Sequence, residues 1–362
     1  MRSEILEQIA RRETVANADL SGIDLSGADL TGGRFENVNF SGADFSGANV
    51  NRTGFAACDF SGAAFRGSHL EKCNWMNMHM PGADFTGATL FMMLLSKSNF
   101  SNADFSNAHI NMCTLQESDL SGAVFHGARV EQNTFQQAVC TGADFSNALM
   151  IRAAFSESDM RSLVLDRAAL VKILFRGCNF TGYNFSGLNM EIVQFDQAQL
   201  DNADFSKCRL PMCNFSGASL RKASFQGAEL PNALFFGADL EMANLSKASF
   251  RQTVFSEAKL LKADCRESDF ELCLFQKARL QGADFRGSNL KNADFSHADL
   301  SAADLSDTDL YMARFHKTLD EDTLYGNSRK TILQTEDPEQ AQAENFLPKA
   351  KNRIKRTGAD EN

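Results

Sequence analysis

The chain has 362 residues, a formal net charge of -10, and 31 phenylalanines against one tryptophan and three tyrosines. The acidic charge argues against general nucleic-acid binding, which needs a net basic surface. No apolar segment reaches the ~20 residues of a membrane-spanning helix, and the start, MRSEILEQIARRE, lacks the apolar run of a secretory signal. We therefore expect a cytoplasmic location and a fold that selects phenylalanine over the other aromatic residues.

The first predicted element is a short amphipathic helix over Ser3–Glu13. Ser3 has the side chain of an N-cap, and Ile5, Leu6 and Ile9 form one apolar stripe. A repeat array exposes apolar side chains and unpaired backbone at its ends. We therefore expect this helix to cover the first coil of the array that follows.

A repeat of five residues then runs from Leu20 to Phe315. Every fifth residue is large and apolar without one insertion or deletion, which makes 60 pentads, since (315 − 20)/5 + 1 = 60. A small residue lies two positions before each of these central residues, as in ADFSG and ADLSG. A period of five fits neither a helix nor a plain strand. One large and one small inward residue per pentad predict a coil in which each pentad forms one short side, with Gly, Asn, Ser and Asp in the turns.

The central residues show a second period, of ten. Phe occupies 22 of the 30 central positions at odd multiples of five, but only 6 of the 30 at even multiples, where Leu and Met dominate. This alternation makes opposite sides alike only if the coil has an even number of sides. Four sides place two opposite Phe stacks and two Leu/Met stacks in the interior.

The motifs ADLSGADLTG, GADFSGAN and NADFSHADLSAADL resemble the pentapeptide-repeat family over residues 18–315. This resemblance implies an all-β fold, a right-handed quadrilateral parallel β-helix of 20 residues per coil and about 15 uninterrupted coils, since 60/4 = 15. Coils stacked at strand spacing would form a rod about 70 Å long. The expected organisation is a capping helix (1–15), the β-helix (16–317), a C-terminal cap segment (318–328) and a mostly disordered charged tail (329–362).

Beyond Phe315 the pattern weakens. Leu319, Leu324 and Tyr325 are expected to fold over the last coil. The polar tail favours disorder. Its basic run KAKNRIKR (349–356) is either a solvated segment or a site for an acidic partner.

The residue types that carry chemistry do not form a site in this pattern. Seven cysteines occupy the small inward slot and Cys140 and Cys265 the large one, so all nine are predicted to be buried filler in a reducing compartment. The six histidines occupy outward slots on different faces or coils. The sequence has no nucleophile elbow, Walker loop or dinucleotide fingerprint. We therefore predict no enzyme activity, no metal site, no cofactor and no small-molecule substrate.

We number the four faces by their first central residues, Leu20, Leu25, Leu30 and Phe35. The second face carries an acidic ladder in the position before the centre, and its twelve acids and six bases leave it at about -6. These carboxylates either bond the turn backbone or form a DNA-like acidic surface. The acidic ladder consists of Asp24, Asp44, Asp84, Asp104, Asp144, Asp204, Asp264, Asp284 and Asp304.

The third and fourth faces are richer in outward apolar residues. Excluding Ala and Pro, they hold 18, against 5 on the first two faces, and many flank the corner that joins them. A one-sided apolar run is typical of an interface, and the alternative is packing along the stack. The candidate interface residues are Phe91, Met92, Leu94, Met112, Leu149, Ile151, Val171, Leu174, Ile192, Met212, Leu234, Phe236, Leu272 and Leu274.

These features predict a non-catalytic protein-binding scaffold or adaptor that binds a protein partner or itself. The segment LEQIARRETVANADLSG resembles pentapeptide proteins of bacterial type VI secretion clusters, which implies an accessory protein handling secreted cargo. One alternative is a bacterial effector delivered to a host cell. Another is a DNA mimic that protects gyrase, for which the acidic ladder is the argument.

Overall fold

The computed structural model describes residues 1–329 and Glu339, and in this part of the chain it shows a parallel β-solenoid preceded by one helix. The predicted tail lies outside the described residues except for Arg329 and Glu339. The possible acidic-partner site at 349–356 lies wholly outside them.

Helix α1 spans Arg2–Ala10. The prediction of a helix over Ser3–Glu13 with Ser3 as its N-cap is therefore wrong at both ends. Met1 is the N-cap and makes no side-chain capping bond. The helix ends early because the backbone turns into the left-handed region at Arg12, where φ is 60°, as is common at helix ends.

The helix nevertheless packs on the solenoid as expected. Ile5 is buried, and Leu6 and Ile9 are partly buried against the core. The apolar stripe therefore covers the first coil, whose interior would otherwise face water.

The regular strands are very short, two or three residues each. They form parallel sheets of three, seven and two strands, ordered β1-β2-β3, β12-β10-β8-β7-β6-β5-β4 and β11-β9. Elsewhere single bridges join the coils, because a pentad has room for few extended residues before its turn. The strands are β1 (Thr14–Ala16), β2 (Arg34–Glu36), β3 (Gly54–Ala56), β4 (His69–Glu71), β5 (Thr89–Phe91), β6 (His109–Asn111), β7 (Arg129–Glu131), β8 (Leu149–Ile151), β9 (Ala154–Ser156), β10 (Ala169–Val171), β11 (Leu174–Arg176) and β12 (Met190–Glu191).

Backbone pairing has one constant offset. Every strand pair and isolated bridge joins residues 20 apart, from Thr14 with Arg34 to Asp309 with Arg329. The chain therefore returns to the same side after four pentads. This offset confirms the predicted four-sided coil.

Left-handed backbone conformations make the corners of the coil. From Arg12 to Asp322 the residue two positions after each centre has φ between 51° and 74° at 62 of 63 positions, with Ser162 as the exception. Gly occupies 20 of these positions and other residues occupy 42. Only Gly adopts this conformation without a Cβ clash. Most corners therefore hold an L-residue in a conformation that costs roughly 1–2 kcal/mol.

Two stacks of phenylalanine rings fill opposite sides of the interior, as predicted. Phe205 and Phe225 stack with centroids 4.9 Å apart, and Phe215 and Phe235 with centroids 4.8 Å apart. Across the core, Phe215 meets Phe225 edge-on at 5.7 Å and 89°. Both geometries are favourable for aromatic pairs, so each ring gains contacts within its own stack and with the opposite one.

Polar residues in the small inward slot make a recurring hydrogen bond to a backbone carbonyl. The Sγ of Cys208 donates to the carbonyl of Phe185 at 2.9 Å, and the hydroxyl of Thr253 donates to that of Leu230 at 2.8 Å. In both pairs the acceptor is a central residue 23 positions earlier. Because the bond satisfies a buried polar group, this slot accepts Cys, Ser and Thr as well as Ala.

The backbone ladder opens on the second face where bulky residues occupy two small slots in succession. Leu163 and Tyr183 fill these slots, and within the described residues no bridge joins Val164 to Asn184. The hydroxyl of Tyr183 donates instead to the carbonyl of Leu163 at 2.9 Å. A cleft of about 470 Å³ lies at this opening.

The repeat continues past its predicted end, because a further bridge joins Asp309 to Arg329. Leu319 and Leu324 are 62% and 58% exposed, so the prediction that they fold over the last coil is wrong. In the continuing register they take the outward slot before the centre. Tyr325 alone of the three packs against the core.

We predict that Phe215→Ala lowers the free energy of unfolding by about 3–5 kcal/mol, because it leaves a cavity between two rings of the stack. Urea unfolding followed by circular dichroism measures the change. Phe236→Ala is the matched control, since that ring is 48% exposed and its loss should change stability by less than ~0.5 kcal/mol. Equal effects of the two substitutions would contradict the stacked core.

Candidate interaction surface

The structure places every predicted interface residue at the surface. Phe91, Leu149, Ile151, Val171 and Ile192 are half-buried. The exposed ones are Met92, Leu94, Met112, Leu174, Met212, Leu234, Phe236, Leu272 and Leu274. Their exposure makes them accessible, and their contact with a partner stays a prediction.

The third face carries apolar residues in left-handed corners. Ile192 and Leu272 have φ of 57° and 63°. The same conformation holds four methionines of this face, Met92, Met112, Met212 and Met312. On the other faces Met242 is the one comparable residue in the described chain, apart from Ala.

These corners combine two unfavourable features. A β-branched residue such as Ile192 is a genuine outlier at positive φ, and the exposed side chains of other corners, such as Leu272, leave apolar surface in water. Gly, Asn or Asp would fill the corner at lower cost, and they do so elsewhere along the chain. Apolar residues in left-handed corners are concentrated on this one face, which supports a functional role for that surface.

The fourth face has a second property that the sequence analysis missed. Its two outward slots beside the centre contain 22 residues from Asn74 to Gln276, and only Arg176 and Asp196 are charged. These two pair with each other at 3.3 Å. These two slots are therefore nearly free of charge along eleven coils, and the other charges of the face lie in its third outward slot, at the corner: Lys97, Glu117, Glu157, Glu257 and Lys277. A count of charges by slot would have revealed it, whereas a search for apolar residues did not.

The fourth face is also continuous. Its bridges run without a break from Asn74 to Arg314 at the 20-residue offset. Within the described residues the ladder of this face opens once, between Gly54 and Asn74, next to the buried Trp75. The stretch with few charges, from Asn74 to Gln276, begins at this opening. Because no later bridge of this face is missing, the stretch forms one uninterrupted sheet surface.

The acidic ladder has a structural role on the second face. Each of its nine carboxylates accepts a hydrogen bond from the backbone N–H two residues later, at 2.8–3.2 Å, as Asp204 does from Ser206. The hydroxyl and N–H of Ser26 lower the pKa of Asp24 below its usual range. These bonds hold the turn that follows each carboxylate.

Arginines neutralise part of this ladder. Arg266 lies 2.7 Å from Asp264 and 3.6 Å from Asp284, and Arg286 lies 2.6 Å from Asp284 and 3.6 Å from Asp304. The Arg266 side chain lowers the pKa of Asp264. The second face is therefore a mixed-charge surface at this end, unlike a row of free phosphates.

The cysteines are all buried, as predicted. Burial raises the pKa of Cys113, Cys140 and Cys213 to about 12, and that of Cys178 and Cys208 to about 11. A thiol needs to ionise to act as a nucleophile or a metal ligand. These groups are therefore inert filler in the folded chain.

Two histidines on successive coils lie close together. His316 occupies an outward slot but is only 1% exposed, and its ring lies 5.4 Å from that of His297. In residues 1–329 no three His, Cys, Asp or Glu side chains form a group that could hold a metal ion. In the same part of the chain no helix has the length and hydrophobicity to cross a membrane.

Comparisons with known proteins identify the same repeats. A family model described as pentapeptide repeats (8 copies) matches residues 18–53, 58–91, 98–137, 134–162, 174–210, 198–237, 213–252, 233–271 and 278–316. A search of the curated proteins found no match.

The chain is also similar to solved structures. HetL, a pentapeptide repeat protein involved in heterocyst differentiation regulation in Nostoc sp. strain PCC 7120, is 20% identical over 62% of this chain and 88% of its own, with a TM-score of 0.37. QnrB1, a plasmid-mediated fluoroquinolone resistance protein, is 25% identical over 43% and 88%, with a TM-score of 0.33. A thylakoid-lumen pentapeptide repeat protein of Arabidopsis thaliana is 36% identical over 28% and 69%, with a TM-score of 0.22.

We predict that a thiol reagent added at about pH 8 modifies none of the nine cysteines until the chain unfolds, since buried thiols stay protonated there. Because burial raises the pKa of the thiols in the folded chain, the same thiols ionise at a lower pH in the unfolded chain. The free energy of unfolding is therefore unaffected by the thiols below about pH 9 and falls as the pH rises toward about 12. The absorbance of the group that the reagent releases measures how many cysteines have reacted. Rapid modification of the native chain would contradict the burial of the cysteines.

We predict that Ile192→Asn raises the free energy of unfolding by about 1 kcal/mol, because Asn tolerates the left-handed corner and Ile does not. Gln197→Asn, at the next corner, is the control and should have a smaller effect. Chemical denaturation measures both changes. A loss of stability in Ile192→Asn would instead support the alternative that the apolar residues pack along the stack.

Proposed function

Because the chain belongs to the pentapeptide repeat family, we propose that it is a non-catalytic scaffold that binds protein along the corner between its third and fourth faces. The main support is the strained apolar corner beside a sheet whose two slots next to the centre hold only two charged residues between Asn74 and Gln276. Met92 and Leu94 flank this corner in one coil and Leu272 and Leu274 in another, and all four are exposed. Apolar surface of this extent is typical of protein contacts.

The surface chemistry suits a protein partner. Backbone groups along the fourth face are already paired between coils, so a partner would contact side chains rather than add a strand. The outward residues are aliphatic, Met, Thr, Ser, Gln and Asn over most of the face. Removing water from such a surface costs little free energy, because few charged groups lie at the contact.

An accessory role in a type VI secretion system is the finer form of this proposal. It rests on the N-terminal segment LEQIARRETVANADLSG. In that setting the corner would hold a secreted protein or a component of the secretion apparatus.

The contacts on the second face disfavour DNA mimicry of the gyrase-protecting kind. Its nine carboxylates bond their own turns, and Arg66, Arg266 and Arg286 pair with several of them. These bonds account for the acidic ladder without a nucleic-acid-like role.

We predict that Met92→Asp/Leu94→Asp abolishes capture of the partner while leaving the fold intact, because it places two charges in the apolar corner. The test compares the proteins retained from source-cell extract by the immobilised wild type and by the variant, quantified by mass spectrometry. Met242→Asp is the matched control, since Met242 is also an exposed methionine in a left-handed corner but lies on the first face. Equal retention by all three chains would contradict the proposal.

A further inference from the structure

We propose that the opening in the ladder of the second face binds an extended peptide segment of another protein, with an aliphatic side chain seated in the cleft. The second face lies opposite the fourth, so this site goes beyond the proposed function and does not depend on the apolar corner. The argument depends on the backbone groups that the opening leaves unpaired and on the residues that line the cleft.

The opening removes hydrogen bonds that the coils on either side make. In a closed coil of this face the N–H of the central residue and that of the corner residue each donate to a carbonyl 19 residues later, as Phe145 does at 2.8 Å. Within the described residues the corresponding N–H groups of Leu165 and Arg167 have no partner. The carbonyls that should accept these bonds, those of Asn184 and Ser186, receive none in the same part of the chain.

A side chain replaces a third bond of the ladder. The N–H of Asp204 donates to the carbonyl of Tyr183 at 2.9 Å. In the same register the N–H of Asn184 would donate to the carbonyl of Leu163, but that carbonyl accepts the hydroxyl of the tyrosine instead. Among the described residues this N–H also has no partner, so the opening presents three N–H donors and two carbonyl acceptors. Such a row is the template to which another extended chain pairs.

The cleft offers an apolar wall behind these backbone groups. Leu163, Tyr183 and Leu188 line it, and its volume of about 470 Å³ lies in the range of ligand sites. An aliphatic side chain placed there would lose contact with water, which is favourable.

The charged residues at the cleft already have partners. Arg161 pairs with Asp159 at 2.6 Å, and Asp166 pairs with Arg167 at 3.5 Å. These pairs leave no net charge, so the cleft favours an uncharged ligand. An amide suits the opening, because its C=O accepts from an N–H while its N–H donates to a carbonyl. An extended peptide repeats these two groups along its length at the spacing of a strand.

The opening is local and is fixed by packing. The same two coils are paired before it, at Asp159 with Asn179, and after it, at Leu170 with Met190. Between these points the large side chains in two successive small slots hold the coils apart. The site therefore exists before a ligand arrives, which lowers the cost of binding.

Titration of the full-length chain with N-acetyl-seryl-leucyl-serinamide tests the site by nuclear magnetic resonance. The amide signals of Leu165, Arg167 and Asn184 should shift, with a dissociation constant on the order of 1 mM for a few hydrogen bonds and one apolar side chain. The analogue with an N-methylated leucine lacks one N–H donor and should bind at least ~10-fold more weakly. Equal binding of the two probes would indicate a merely apolar cavity and would overturn the inference.

Closing the opening tests the same site from the side of the protein. Leu163→Ala/Tyr183→Ala puts in both slots the Ala that the adjacent coils have there, and it should restore the ladder. The three unpaired N–H groups should then exchange with solvent at least ~10-fold more slowly, and the shifts caused by the probe should disappear. Circular dichroism verifies that the variant folds.

Ser186→Trp provides a second test that leaves the interior unchanged, since Ser186 lines the cleft and the larger ring should block the probe. Ser206→Trp, in the same slot one coil later, is the control and should bind like the wild type. Binding retained by either folded cleft variant, slow exchange of the three amides in the free wild type, or no shift at ten times the expected dissociation constant would overturn the inference. Met92→Asp/Leu94→Asp should bind the probe normally, so these outcomes leave the proposed function untouched.

Discussion

The whole structure depends on one constraint, a left-handed residue in nearly every pentad that closes a coil of 20 residues. This residue turns the chain from one side of the square to the next. After four such turns the backbone N–H and C=O groups pair with those of the neighbouring coil. Pairing in register then aligns like residues in columns, with rings above rings and Asp above Asp. An insertion of one residue would move every later side chain out of its column. The absence of any insertion between Leu20 and Phe315 follows from this requirement.

The same constraint explains which parts of the structure were predictable. A five-residue period with one large and one small inward slot specifies the interior, so the phenylalanine stacks and the buried cysteines followed from slot assignment alone. The ends were less predictable, because there the chain leaves its own register. Helix α1 ends where Arg12 turns, and Leu319 and Leu324 stay exposed because bridging continues to Arg329.

The candidate surface was predictable in part for a related reason. Slot assignment correctly marked the apolar residues as outward, but it gave no information on backbone conformation. The strain at Ile192 needs φ, and the opening between Val164 and Asn184 needs the neighbouring coil. The scarcity of charged residues in the two slots beside the centre of the fourth face was present in the sequence. It becomes visible when charges are followed down one slot through successive coils.

The most direct test of this account is the length of the fourth face in solution. Spin labels on cysteines placed at Lys97 and Lys277 would lie nine coils apart on one column, and the native thiols are buried and would not react. Electron double resonance on the dilute chain should give a single distance near about 43 Å, nine coils at strand spacing. A broad distribution, or a distance far from this value, would contradict an uninterrupted stack and with it the continuous surface on which the proposed contacts depend.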